Sequence, residues 1–167
     1  LESLLNQNIP IEDYEIILID DGSSDGSYDI AKKYLSQNVT IIRQKNQGLS
    51  ACRNTGVSLA KGDYIYFFDS DDYIALNTLN KLIKIVFKYN LEILEFNNIR
   101  TSSRKLLTSN TEFLAAANLK ILDGKHFIST RNFHDSVCVY FFKRKFLIDS
   151  KVKFIEGKVM EDMIYTT

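Results

Sequence analysis

Hydrophobic residues fall in two rhythms along this chain. Short, almost uninterrupted apolar runs, "EIILID" (15–20), "VTIIRQ" (39–44) and "DYIYFFD" (63–69), alternate with segments whose apolar positions recur every three or four residues. Continuous runs of this length suit strands covered on both faces, and their alternation with helices is the pattern of a βαβ sheet. Between the first two runs, Ile30, Ala31, Tyr34 and Leu35 are spaced as one helical stripe, with Asp29, Lys32, Lys33 and Ser36 outward and Ser24 or Asp25 available as a cap. The segment from Leu49 to Ala60 reads as a second helix, whose small residues Ser50, Ala51, Thr55 and Gly56 permit close approach to the sheet. On that helix Arg53 and Asn54 read as a solvated face. A third helix fits residues 76–89, on the stripe Leu76, Leu79, Leu82, Ile83 and Val86, and "LEILEFN" follows as a strand. Residues 97–112 are polar and aperiodic, the composition of a surface loop or hairpin. A short helix near 123–130, a strand at "SVCVYFF" and a helix at "KRKFLIDS" complete the pattern. The expected fold is an α/β, three-layer αβα domain with a mainly parallel central sheet.

Composition narrows the function classes. With 167 residues, 45% of them hydrophobic, the chain can bury one core, and no repeat or linker divides it. Lys and Arg total 21, as do Asp and Glu, so no global field attracts nucleic acid or an anionic membrane. Any charge-based chemistry must be local. Cys52 and Cys138 stand far apart without a Cys or His at metal spacing, and read as small buried hydrophobes in a reducing, cytoplasmic setting. His126 and His134 likewise lack partners at ligand spacing and read as packing or surface residues. No apolar run approaches the length of a membrane span, and no leader opens the sequence. Both ends fall within helical patterns and read as cut.

The chemistry is expected at the carboxyl ends of the parallel strands, where ligands of doubly wound sheets bind. Two such ends carry "DDGSSDGS" (20–27) and "DSDD" (69–72). A turn and a helix cap explain the first well enough. The second has three carboxylates where a cap needs one, and their mutual repulsion at the end of a buried strand calls for a cation. Asp69 and Asp71 offer the hard oxygen ligands that Mg²⁺ or Mn²⁺ prefer.

Taken in order, "IILIDDGSSDGS", "NQGLSACRNTGVSLAKGDYIYFFDSDD" and "FIEGKVMEDMIY" resemble the blocks of the family 2 glycosyltransferases, densely over residues 1–75 and thinly beyond. Those are inverting enzymes of the A-type fold that move a sugar from a nucleotide diphosphate to an acceptor hydroxyl. The resemblance implies that Asp21, with Asp20 beside it, meets a uracil-type base, and that Arg53 lies near base and diphosphate. It implies that Asp69 meets ribose and metal, that Asp71 anchors Mn²⁺ or Mg²⁺, and that Asp162 is the catalytic base; Glu161 beside it reads as the orienting member of the pair, since one of two such acids more often orients than reacts. It further implies a single catalytic domain over 1–167, with a nucleotide-binding half (1–95) and an acceptor-side half (96–167), and a first strand preceding Leu1. The expected partners are a nucleotide-diphospho-sugar donor, most simply a UDP-sugar, and a glycan or lipid-linked acceptor of bacterial surface polysaccharide synthesis at the inner face of the membrane. No nucleic acid is expected, and the sequence leaves the oligomeric state open. The basic run 143–145 reads as a solvated helix start, with peripheral contact to a membrane or anionic acceptor as the second reading. Two alternatives remain: an inactive nucleotide-sugar-binding protein or nucleotidyltransferase of the same fold, and a phospho-accepting receiver domain, whose Mg²⁺-binding acids also end strands.

Overall fold

The computed structural model describes residues 1–98, 119–129 and 136–157 of the chain. The elements are helix α1 (Glu2–Leu5), a 3-10 turn at Ile11–Asp13, strand β1 (Ile16–Asp20), helix α2 (Ser27–Lys32), strand β2 (Val39–Arg43), helix α3 (Leu49–Leu59), strand β3 (Tyr64–Tyr66), helix α4 (Thr78–Tyr89) and strand β4 (Ile93–Glu95). They continue with helix α5 (Gly124–Ser129), a 3-10 turn at Val137–Val139, strand β5 (Tyr140–Lys143) and helix α6 (Arg144–Ser150). The polar stretch expected to form a loop lies outside the described residues, apart from Asn97 and Asn98.

The strands pair in two groups. β1 and β2 are parallel, in register from Ile16 opposite Val39 to Asp20 opposite Arg43. β5 inserts between β3 and β4 and runs antiparallel to both, so β3 and β4 point the same way. The parallel component expected from the alternation is therefore present, while the strand latest in sequence enters reversed. Nothing in an apolar run records its direction.

Alternation along β3 and β5 builds the layers. Ile65, Phe67, Tyr140 and Phe142 face one side, with Val57 and Ala60 of α3, Leu147 of α6 and Phe154. Tyr64, Tyr66 and Phe141 face the other, with Leu79, Leu82 and Val86 of α4 and with Leu4 and Ile9. The sheet thus lies between helices on both faces, which explains why its strands are apolar at consecutive positions. Tyr66 and Phe141 stack at 4.8 Å between centroids, and Phe67 meets Phe154 edge-on at 5.2 Å.

One expectation fails on α2. Only Ala31 is buried there, whereas Ile30 and Leu35 are 59% and 64% exposed. The helix ends at Lys32, so Tyr34 and Leu35 fall beyond its regular turns and the stripe dissolves.

Candidate functional site

The loops that follow β1, β2 and β3 carry the acids, and α3 connects them. Asp20, the last residue of β1, is buried. Its Oδ1 accepts hydrogen bonds from the amide and hydroxyl of Ser23, and its Oδ2 lies 3.1 Å from Arg43 Nε on the neighbouring strand. This carboxylate holds the turn after the strand, and its two oxygens already face protein donors. Gly22 sits in that turn at φ +80°, a left-handed value that favours glycine, and a Cβ there would stand 3.1 Å from the Asn46 amide nitrogen. The first loop is therefore pressed against the second.

Asp21 makes the same connection through its side chain. Oδ1 accepts from Gln44 Nε2 at 2.8 Å and from the Gln47 amide at 3.0 Å, and Oδ2 accepts from the Gly48 amide at 2.7 Å. Partial burial pulls the Asp21 carboxyl up, but these hydrogen bonds outweigh it and hold the group below its ordinary range. Gly48 precedes α3, so Asp21 fixes the approach to that helix. Cys52, on the first turns of α3, also faces Asp21, and burial followed by that carboxylate pushes its thiol to about 11.

Arg53, the next residue of the helix, points to the third loop. It is 6% exposed, its guanidinium lies 3.1 Å from Asp69 Oδ1, and it covers the Phe154 ring at 5.4 Å. The solvated reading of Arg53 and Asn54 is thus overturned. Residues about a hundred positions away in sequence cover this face: Asn54 bonds to Phe154 and Glu156, and Ser50 to Ile155. Small residues do bring the helix to the sheet, as expected: Ser50 and Ala51 are buried, and a Cβ on Gly56 would meet Ile19 Cδ1 at 3.7 Å.

Three residues beyond β3 the chain turns, the Asp72 amide donating to the Asp69 carbonyl at 3.2 Å. That turn folds Asp72 back. Ligand atoms of Asp69, Asp72 and Cys138 all lie within 4.8 Å of one another, forming a group that could hold a metal ion. Asp71, expected beside Asp69 as the metal anchor, is exposed like Asp72 and is not part of this group. Burial, then the charges of Asp69 and Asp71, raise the Asp72 carboxyl above its ordinary range. Burial, then Asp69, pushes the Cys138 thiol to about 12. Arg53 offsets only part of this negative charge, so the cluster fits an added cation. Its carboxylates suit Mg²⁺ or Mn²⁺, while the thiol, which no spacing along the chain points to, suits softer ions.

The remaining candidates separate. Glu161, Asp162 and His134 lie outside the described residues. His126 is at the surface, its Nδ1 3.0 Å from Asp123 Oδ2. Of the basic run, Lys143 ends β5 and donates to Asn90 Oδ1 at 2.6 Å, Arg144 is half-buried, and exposed Lys145 pairs with Asp149 at 2.5 Å. A depression of about 470 Å³ lined by Glu92, Lys143, Lys145, Phe146, Asp149 and Ser150 lies beside that run, and contains none of the clustered acids.

Comparison with known proteins follows the same lines. The profile of Glycosyl transferase family 2 matches residues 1–149. The poly(ribitol-phosphate) beta-glucosyltransferase of Bacillus spizizenii is 48% identical over 83 residues, 47% of this chain and 13% of that protein. The minor teichoic acid biosynthesis protein GgaB of Bacillus subtilis is 30% identical over 172 residues, covering 97% of this chain and 18% of that protein. Among solved structures, Staphylococcus aureus TarS 1-349 in complex with UDP-GlcNAc superposes with a TM-score of 0.76 at 23% identity, over 99% of this chain and 46% of that one. The chain therefore spans less than half of each of these proteins.

Proposed function

The chain belongs to glycosyl transferase family 2, and from that premise we propose that it forms the donor-binding part of an enzyme that transfers a sugar, with inversion, from a UDP-sugar to an acceptor hydroxyl. The observation that carries this reading is the Arg53–Asp69 pair at 3.1 Å, set at the end of β3 beside further acids. A buried guanidinium next to carboxylates can meet a diphosphate from one side while a cation meets it from the other. In this reading Asp69, together with Asp71 or Asp72, would hold Mn²⁺ or Mg²⁺. The ion supplies charge compensation for the departing diphosphate, a contribution worth several kcal/mol.

Asp21 serves base recognition chiefly through the 44–48 loop that its carboxylate organises. Asp162 is the base that takes the proton of the acceptor hydroxyl, with Glu161 orienting it. One displacement with inversion needs the base on the sugar face opposite the diphosphate, and therefore from another part of the chain than the acids at 69–72. The acceptor is a cell-surface polymer or a lipid-linked glycan, a reading supported by relatives whose names concern teichoic acids. Nucleotide sugars are cytoplasmic metabolites, so the reaction belongs on the cytoplasmic side; among the described residues no helix is long and apolar enough to cross a membrane. Family membership removes the receiver-domain alternative.

The test is donor turnover by the full-length protein, assayed with UDP-, GDP- and dTDP-sugars. We expect a UDP-sugar to be consumed and Asp162→Asn to lower transfer by roughly 10² to 10⁴ while donor binding persists. Transfer at the wild-type rate by Asp162→Asn would remove the base assignment, and nucleotide incorporation in place of sugar transfer would favour a nucleotidyltransferase.

A further inference from the structure

Ser50, Arg53 and Asn54 stand at i, i+3 and i+4 on α3 and form one face. That face grips residues 154–156. Ser50 Oγ donates to the Ile155 carbonyl at 3.0 Å. The Asn54 side chain pairs with both backbone groups of one residue: Nδ2 donates to the Phe154 carbonyl at 3.0 Å, and Oδ1 accepts from the Phe154 amide at 3.0 Å. Nδ2 also reaches Glu156 Oε1 at 3.2 Å. A carboxamide used in this way replaces one rung of a strand ladder, and it fixes both position and direction of the backbone it holds. The Phe154 ring is 2% exposed, lies under Arg53 and is wedged against Phe67. Arg53 in turn holds Asp69. A single turn of helix therefore fastens the acid at the end of β3 and, beside it, a segment that ends six residues before Asp162.

We propose that Asn54 is a positioning residue that sets the register of the 154–156 segment against Asp69, and thereby the place from which the chain carrying Asp162 departs. The inference rests on the reading of Asp162 as the base. Without the carboxamide, the ring of Phe154 keeps the segment docked, but the two bonds from Asn54 that fix its register against α3 are lost. Displacement of about 1 Å at a reacting group is enough to lower turnover about a hundredfold. Asp69 and Arg53 keep their own contact, so donor binding is spared.

The experiment uses the full-length protein with Asn54→Ala, Asn54→Asp and the double variant Asn54→Asp with Glu156→Gln. Four readouts are taken: UDP affinity with Mn²⁺ present, kcat and donor KM with the UDP-sugar that the panel shows to be consumed, and hydrogen exchange of the Phe154 amide. Asn54→Ala should lower kcat by roughly 10- to 100-fold, leave UDP affinity and donor KM within about twofold, and speed exchange at Phe154. Asn54→Asp places a carboxylate against the Phe154 carbonyl and Glu156, and should be worse. Adding Glu156→Gln restores a donor to that carboxylate and should recover part of kcat. If Asn54→Ala does not fold, Ser50→Ala, which removes the Ile155 bond alone, should show the same separation with a smaller loss of kcat. An unchanged kcat in Asn54→Ala, or kcat and UDP affinity falling together, overturns the proposal. Failure of the base assignment appears separately, as wild-type transfer by Asp162→Asn, and absence of any turnover across the donor panel sinks both readings.

Discussion

At the scale of single residues, Asp21 carries the clearest pH dependence. Its carboxyl is held below the ordinary range, so its contribution to stability is present at and above the ordinary carboxylate pKa and is lost as the pH falls through the lowered value. Asp21→Asn should therefore melt lower than wild type near neutrality, and the gap should close below about pH 4. A gap independent of pH in thermal melts would show that the Gln47 and Gly48 amides do not depend on the charge. Asp21 also shows what a linear reading can reach. That acids cluster at 20–21 and 69–72 is legible from residue order; which oxygen faces which loop is not, because Gln47 and Asp21 meet only once β1 and β2 are paired. The solvated-face reading of Arg53 and Asn54 fails for the same reason. Helical periodicity places them on one face, but the cover for that face comes from residue 154.

At the scale of elements, two small groups join α1, α3 and α4 to the rest. Gln7 is 1% exposed; its Nε2 donates to the carbonyls of Ser3 at 2.7 Å and Ala75 at 3.1 Å, and its Oε1 accepts from the Leu79 amide at 3.0 Å. The Leu79 amide lies in the first turn of α4, where no carbonyl of the same helix is available, so Gln7 acts as a cap supplied from another element. Gln7→Leu leaves these buried groups unpaired and should lower stability by about 3 kcal/mol in urea unfolding with an unchanged m-value. A loss under about 0.5 kcal/mol would mean that water replaces the carboxamide. Gly56 gives the opposite sign. A Cβ there would make ordinary contact with Ile19, so Gly56→Ala should stabilise the fold by about 0.8 kcal/mol through helix propensity, and destabilisation would show that α3 has no room at β1. Most elements are legible from apolar period, since the helix α4 and the strands β1 and β2 have strong patterns, whereas α3 is legible from its small residues between two strands. The α2 stripe failed because a six-residue helix offers too few turns for its period to decide which side chains are buried.

At the scale of the whole molecule, the described strands form two sheets, β1 with β2 and β5 between β3 and β4, and α3 packs on β1 through Gly56 and on the core around β5 through Val57. Net charge is zero overall, so the attraction for a diphosphate must come from the local arrangement of Arg53 with a cation among the acids at 69–72. The central claim is therefore most directly tested by calorimetric titration of UDP into the full-length protein, with Mn²⁺ and with a chelator, in wild type and in Asp69→Asn. The account predicts UDP binding that tightens at least tenfold with Mn²⁺ and loses most of that gain in Asp69→Asn. UDP binding of equal strength in chelator, or an unaltered Mn²⁺ gain in the variant, would contradict it.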